Sequence, residues 1–224
     1  GEQTSVRLVM NPDTMSLQET QRAYTYMNLF GLAVDALFVN RVIPPEVQDP
    51  FFANWKADQA ENRQQVRQIF SPLPVFEVPL MSAEVVGLEA LGRLGDDLYG
   101  DRDPVQRLSR EEPLRFYVEG DRHMLSLRVA GVSGQSAELE KHGDELSIRL
   151  GNSRRTVPLP QYLAALRPAW ARATKASSGG ASTTIRPPSR NRARSAWRRT
   201  ASGSWRAART QAPPSAAWRR AVRR

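Results

Sequence analysis

Apolar and polar positions change rhythm twice along this chain. Ser5-Val-Arg-Leu-Val-Met10 alternates with the period of two that suits a strand, and Asn11-Pro12-Asp13 follows with turn chemistry. A helix is predicted next. Ser16 can cap it, Glu19 stands three residues on as in a capping box, and Tyr26, Leu29 and Phe30 recur at helical spacing before Gly31. Ala36-Leu-Phe-Val-Asn-Arg-Val42 is a nearly continuous apolar run, the pattern of a parallel strand covered on both faces, and Pro44-Pro45 stops it. From Asp49 to Phe70 a long, mostly solvated helix is expected, with Phe52, Trp55, Val66 and Ile69 on a loose helical period. Pro74 to Leu80 reads as a third strand, and Ala83 to Tyr99 as a third helix ending near Gly100. Strands alternating with helices predict an α/β fold with a parallel sheet.

After Asp103-Pro104 the pattern becomes one of short strands, predicted at Leu114–Glu119, Met124–Ala130, Ala137–Lys141, Glu145–Leu150 and Thr156–Pro158. Gly120-Asp121 and Gly143-Asp144 supply turns between them, so a small all-β module is expected. From about Arg172 almost no aliphatic residue larger than Ala remains, too little apolar surface to offset ordering entropy. The predicted organisation is therefore an α/β part over 1–104, a linker over 105–112, a β domain over 113–171 and a disordered Arg-rich tail over 172–224.

Charge sharpens the last boundary. The formal net charge of +9 divides into −6 for residues 1–166 and +15 for residues 167–224, which contain no acid. Fourteen arginines interleaved with Trp197, Trp205 and Trp218 could contact phosphates and stack on bases. The abruptness of the change favours adventitious basicity instead, as from a shifted reading frame, and nucleic acid is not the expected partner. With no cysteine and two histidines, disulfides and thiolate metal sites are excluded and no structural zinc is expected. No apolar run reaches the roughly 20 residues a bilayer crossing needs, and the N-terminus lacks a basic region followed by an apolar stretch, so the chain reads as cytoplasmic. His123 and His142 read as solvated surface residues.

Three segments, taken in order, carry a resemblance: Arg7-Leu-Val-Met-Asn-Pro-Asp13 leading into Leu17-Gln-Glu-Thr-Gln-Arg22, then Leu37-Phe-Val-Asn-Arg-Val42, then Val78-Pro-Leu-Met-Ser-Ala-Glu-Val-Val-Gly-Leu-Glu-Ala-Leu91. Together they resemble the C-terminal half of ArsA-family ATPases, the arsenite-pump and tail-anchored-protein-targeting enzymes. Asp121 to Gly131 followed by Gly143 to Leu150 looks like the alpha-crystallin, or small heat-shock, type of domain appended to many bacterial members. The resemblance implies a P-loop NTPase fold for the α/β part and an alpha-crystallin-like sandwich for the β part. It implies that Asn40, at a strand end, recognises adenine, because a carboxamide offers one donor and one acceptor to the N6/N7 edge. Pro79 and Leu80 match the family's adenine loop and could line the base. Both segments would lie at strand C-terminal ends, where open α/β sheets bind ligands.

The departures from the family carry as much information. A phosphate-binding loop needs Gly-Lys-Ser/Thr, and the only lysines, Lys56, Lys141 and Lys175, follow Trp55, Glu140 and Thr174. The family's magnesium-binding and water-positioning segments precede the matched region. No catalytic residue and no metal ligand is therefore assigned to this chain. ATP and Mg²⁺ are expected of a complete protein whose N-terminal ATPase half is a missing partner, and hydrolysis is not expected of this chain alone. The family further implies a homodimer or tandem pseudo-dimer and a membrane transporter or protein client. A rival expectation is a chaperone-like interaction module acting through the alpha-crystallin-like domain, with the α/β part as its support.

Overall fold

The computed structural model describes residues 4–119, 122–130, 137–164, 171–175, 181–185, 197–199 and 205–207. The chain divides into two units. One comprises Gly1–Tyr117, Leu125–Gly131 and Thr174–Thr184, the other Val118–Met124, Val132–Ala173 and Ile185–Arg224.

The first unit is built on a parallel sheet of β1 (Val6–Met10), β2 (Val34–Val42) and β3 (Val75–Pro79), in that order. The connections are α1 (Thr14–Leu29) and α2 (Ala53–Phe70), and α3 (Leu88–Tyr99) follows β3. The apolar run of β2 has the expected cause. Val34, Leu37 and Val39 join a core with Leu17 and Tyr24 of α1 and Val66 and Phe70 of α2. Ala36 and Phe38 face the other way, with Val78, Phe76 and the α3 residues Leu94, Leu98 and Tyr99. A central parallel strand with helices on both faces needs apolar residues at both parities.

Several predicted boundaries move, each for a local reason. Helix α1 begins at Thr14 and is capped by Asp13, whose carboxylate accepts from Ser16 N and Ser16 Oγ, both at 2.8 Å. Ser16 is thus a donor to the cap, not the cap itself, since a carboxylate both accepts more strongly and complements the positive helix end. Glu19 pairs with Arg22 at 2.5 Å instead of closing a capping box. Before α2, Pro50–Phe52 forms a single 3₁₀ turn, capped by Asp49. The buried stripe of α2 is Asn62, Val66 and Phe70, at a spacing of four, while Trp55 is exposed. Helix α3 starts five residues late because Gly87, at φ 87, interrupts the helical path.

A buried acid ties this unit together. Asp35 on β2 is fully buried and accepts from Ser5 Oγ and Leu108 N, each at 2.9 Å. Its other oxygen lies 3.5 Å from Arg7 Nε, an ion pair without hydrogen-bond geometry. Arg7 reaches onward to Tyr99 Oη at 3.2 Å and the Gln106 carbonyl at 2.9 Å. The segment around Leu108 is held against the sheet by these groups, and the Leu108 side chain packs on the Ala36–Phe38 cluster.

Tyr24 sits in the same core, edge-on to Phe70 with ring centroids 5.4 Å apart. Burial raises its phenol above the ordinary value of 10.0, outweighing the Asn28 hydrogen bond and the Arg128 charge that pull it down. The folded chain therefore favours the neutral phenol. Its contribution to stability is intact below the unfolded value and is lost as pH rises through the raised folded one. Tyr24→Phe is expected to flatten the alkaline fall in urea stability above about pH 10. An unchanged alkaline profile would remove Tyr24 as its cause.

Beyond Tyr99 the structure follows the predicted β pattern: β4 (Leu114–Glu119), β5 (Arg122–Arg128), β6 (Ala137–His142), β7 (Glu145–Leu150) and β8 (Ser153–Pro158). In the second unit β6, β7 and β8 form an antiparallel meander, with Leu139, Leu146, Ile148, Leu150 and Val157 buried. The β6–β7 turn is Gly143-Asp144 as expected, with Gly143 at φ 58. Strand β8 begins three residues before the expected Thr156, because Gly151 at φ 55 turns the chain directly back and Leu150 pairs with Ser153. A short helix, α4 (Gln161–Ala164), follows.

Four short strands are described from Ala171 onward: β9 (Ala171–Lys175), β10 (Ala181–Ile185), β11 (Trp197–Arg199) and β12 (Trp205–Ala207). Sheet order is β4-β5-β10-β9 in one sheet and β11-β12-β6-β7-β8 in the other. The free edge of β6 takes β12, with Arg206 opposite Glu140. An unpaired edge offers backbone partners to any neighbouring strand, whatever its core-forming capacity. The rest of 172–224 lies outside the described residues, as does the Gly120-Asp121 turn.

Candidate nucleotide-binding site

The carboxyl ends of β2 and β3 share one rim of the parallel sheet. Their register runs in step from Leu37–Val75 to Val39–Glu77 and then slips, so that Val42 pairs with Pro79. Asn40 and Arg41 therefore stand opposite Val78 alone, a bulge in β2. Arg41 takes φ 60, a left-handed conformation costly for a residue with a side chain. In it the Arg41 amide donates to Asn40 Oδ1 at 3.0 Å. Asn40 is half-buried, and its Nδ2 has no partner among the described residues.

On the neighbouring strand Pro79 and Leu80 are exposed. Leu80 N donates to the Val42 carbonyl at 2.8 Å, which fixes the start of the loop after β3 against the end of β2. The three residues selected from sequence thus lie on adjacent strand ends at one rim. Strand pairing brings the segment that carries the Asn40 carboxamide and the one that carries the apolar Pro79 and Leu80 to the same rim.

Two supporting residues gave no sequence signal. Gln59 of α2 accepts from Ile43 N with Oε1 at 2.9 Å and donates from Nε2 to the Arg41 carbonyl at 3.3 Å. Lys56, one turn earlier, donates to the carbonyls of Pro45 and Val47, both at 3.1 Å. In sequence these are simply polar positions on a solvated helix. Arg41 was equally hidden, since left-handed positions are ordinarily marked by Gly or Asn. The same helix is secured to β3 through Glu77, which accepts from Arg63 and Arg67.

The carboxamide of Asn40 has hydrogen-bonding capacity to spare. Asn40 retains two N–H groups and a second lone pair on Oδ1, enough for one donor and one acceptor contact. Among the described residues no group of three or more histidines and carboxylates gathers that could hold a metal ion.

Residues 1–100 match the family profile of the anion-transporting ATPases, ArsA. Residues 120–177 match a second profile, an HSP20-like domain found in ArsA. The chain belongs to the ArsA family. A protein of Aquifex aeolicus named "Putative arsenical pump-driving ATPase 1" is 40% identical over 176 residues, 77% of this chain and 44% of that relative. A Prosthecochloris vibrioformis protein named "Putative arsenical pump-driving ATPase" is 35% identical over 165 residues, 74% of this chain and 41% of the relative. An Arabidopsis thaliana protein named "ATPase GET3B" is 31% identical over 101 residues, 44% of this chain and 25% of its own length. The chain thus spans less than half the length of the ArsA relatives it matches. Its architecture is mixed α/β, a parallel sheet with separate antiparallel strands, and it carries both profiles in one polypeptide.

Proposed function

We propose that this chain supplies the adenine-binding side of an ArsA-type ATPase that couples ATP binding and hydrolysis to anion extrusion or protein targeting. The observation that carries the reading is the Asn40 bulge beside Pro79 and Leu80 at the carboxyl rim of a parallel sheet, where open α/β folds bind ligands. Asn40 reads the base edge, and Pro79 and Leu80 line its flat face. The names of the bacterial relatives supply arsenical pumping as one cargo class, and protein targeting is the other that the family resemblance implies.

In this reading the P-loop, its lysine and the magnesium ligands belong to another part of the complete ATPase, because no Gly-Lys pair occurs here. Catalysis is then electrostatic stabilisation of the transferring phosphoryl group by those parts, while this chain holds the base in place. The complete protein acts in the cytoplasm as a dimer or tandem pseudo-dimer, with a membrane transporter or a protein client as partner. Among the described residues no helix is long and apolar enough to cross a membrane.

The test is to sequence the gene upstream of the codon for Gly1 and assay the extended protein. A Gly-Lys-Ser/Thr loop, with ATP turnover that requires Mg²⁺ and is absent from the 224-residue chain, is the expected result. An extended protein with neither loop nor turnover ends the ATPase reading.

A further inference from the structure

Among the described residues, Arg41 alone joins a side chain to a positive φ. The left-handed region is unfavourable for any residue with a Cβ, and Gly or Asn would occupy it at lower cost. Backbone of this kind persists where its surroundings over-determine it, and it gathers at ligand sites. Here α2 and β3 supply the surroundings. Gln59 bonds the Arg41 carbonyl and the Ile43 amide, and Leu80 N holds the Val42 carbonyl. The fold thus keeps an arginine where a smaller residue would suit the backbone better.

Nothing described in the chain uses the side chain held in this way. Arg41 is exposed, and its guanidinium has no hydrogen bond, ion pair or ring contact among the described residues. Other cations of the same unit are engaged: Arg7 meets Asp35, Arg63 and Arg67 meet Glu77, Arg102 lies over the Phe76 ring, and Lys56 is taken by two carbonyls. Arg110 is also without such a contact among the described residues, but its backbone is not left-handed. A strained position and an unengaged cation coincide at Arg41 alone, on the rim where open α/β sheets take their ligands.

A guanidinium suits a phosphate or a carboxylate, which it grips with two parallel N–H groups. The adenine reading decides between them. A base read at N6 and N7 presents the edge that, in the anti form of a nucleotide, lies on the same side as the 5′-phosphate. Consecutive Cα atoms are about 3.8 Å apart, so Arg41 adjoins the residue that reads that edge. We infer that Arg41 is a phosphate-contacting residue of the site, its guanidinium pairing with the 5′-phosphate chain of the nucleotide whose adenine Asn40 reads. This rests on the adenine reading proposed above and adds a part of the ligand which that reading leaves without a contact in this chain.

The experiment titrates adenosine, AMP and ATP against the 224-residue chain by ligand-observed NMR, without Mg²⁺, with the folding of every variant checked by circular dichroism and urea titration. Wild-type chain is expected to bind AMP and ATP more tightly than adenosine, by an advantage that shrinks as salt is raised. Arg41→Gln is expected to weaken AMP and ATP about fivefold, the factor of one solvent-exposed ion pair, and to leave adenosine unchanged. Arg41→Gly removes the guanidinium yet suits the left-handed backbone, so it should lose the same advantage while unfolding at no lower urea than wild type. Asn40→Ala should weaken all three ligands, because the base is common to them.

The failures are distinguishable. If adenosine does not bind, or binds Asn40→Ala as well as wild type, the adenine reading falls and this inference with it. If adenosine binding depends on Asn40 but AMP and ATP gain nothing over it, or keep their gain in Arg41→Gln, the adenine reading stands and the role of Arg41 is overturned. Arg41→Gln that weakens adenosine as much as ATP also overturns it, since the side chain then serves the base or the rim and not the phosphates. So does Arg41→Gly that binds AMP and ATP as wild type does.

Discussion

Asp35→Ala is expected to lower the unfolding free energy by about 3–5 kcal/mol, the penalty for breaking a buried ion pair by removing one partner. The carboxylate is fully buried and draws together three separate stretches of chain: the start of β1 with Ser5 and Arg7, its own strand, and the segment around Leu108. Removing it strands the Leu108 amide and the Ser5 hydroxyl and leaves a mostly buried guanidinium without its counter-charge. Desolvation of those groups is no longer offset, and that loss exceeds the few tenths typical of a surface ion pair. The control is a double replacement, Arg7→Met with Asp35→Leu, which removes both charges and fills the volume. It should recover a large part of the loss, since apolar replacement of a whole buried pair is often neutral. Urea titrations of the three variants provide the comparison. An Asp35→Ala chain within about 1 kcal/mol of wild type would show that water or a shifted Arg7 satisfies the site.

Asp35 also illustrates what the sequence could and could not reveal. It lies one residue before an apolar run whose meaning was plain, because only a central parallel strand buries both parities, as Leu37 and Phe38 do on opposite faces. The acid's partners lie 30 and 73 residues away, and no local pattern encodes such distances. The helix starts erred for a related reason. Asp13, Ser16 and Glu19 all fit an N-terminal signal, and the choice among them was made by which acceptor reached the free amides. In the β part the hairpins were legible where glycine marked them, as at Gly143. The early residues of β8, Ser153-Arg154-Arg155, escaped because charged residues at an exposed strand edge carry no apolar alternation.

The candidate site divides the same way. Asn40, Pro79 and Leu80 were chosen through a family resemblance, and the strand pairing brings their two segments to one rim. Arg41, Gln59 and Lys56 came only with coordinates, because their roles depend on which backbone groups the bulge leaves unpaired. A strand run ending in Asn-Arg gives no sign that register will slip there. Composition likewise could not foresee β12, whose pairing with β6 is a property of the edge it meets.

Asn40→Ala, made in the complete ATPase, should weaken ATP binding by about 5- to 150-fold, corresponding to the ~1–3 kcal/mol of one bidentate amide–adenine contact. The effect on GTP should be much smaller, because guanine presents an acceptor at its 6-position and never used the Oδ1 lone pair. Turnover at saturating ATP should change less than affinity: the base lies remote from the transferring phosphoryl group, so its contacts are made equally in ground and transition states. Asn40→Asp separates shape from chemistry. It keeps the size of the side chain but replaces the Nδ2 donor by a second acceptor, which repels N7 of either purine, so ATP and GTP binding should both suffer. Steady-state kinetics with the two nucleotides measures all of this. If Asn40→Ala instead lowers the maximal rate with KM unchanged, Asn40 acts on the chemical step and not on the base. If Asn40→Asp binds ATP as well as wild type does, the carboxamide's donor is not engaged, and recognition would rest on Pro79 and Leu80 and the shape of the rim alone.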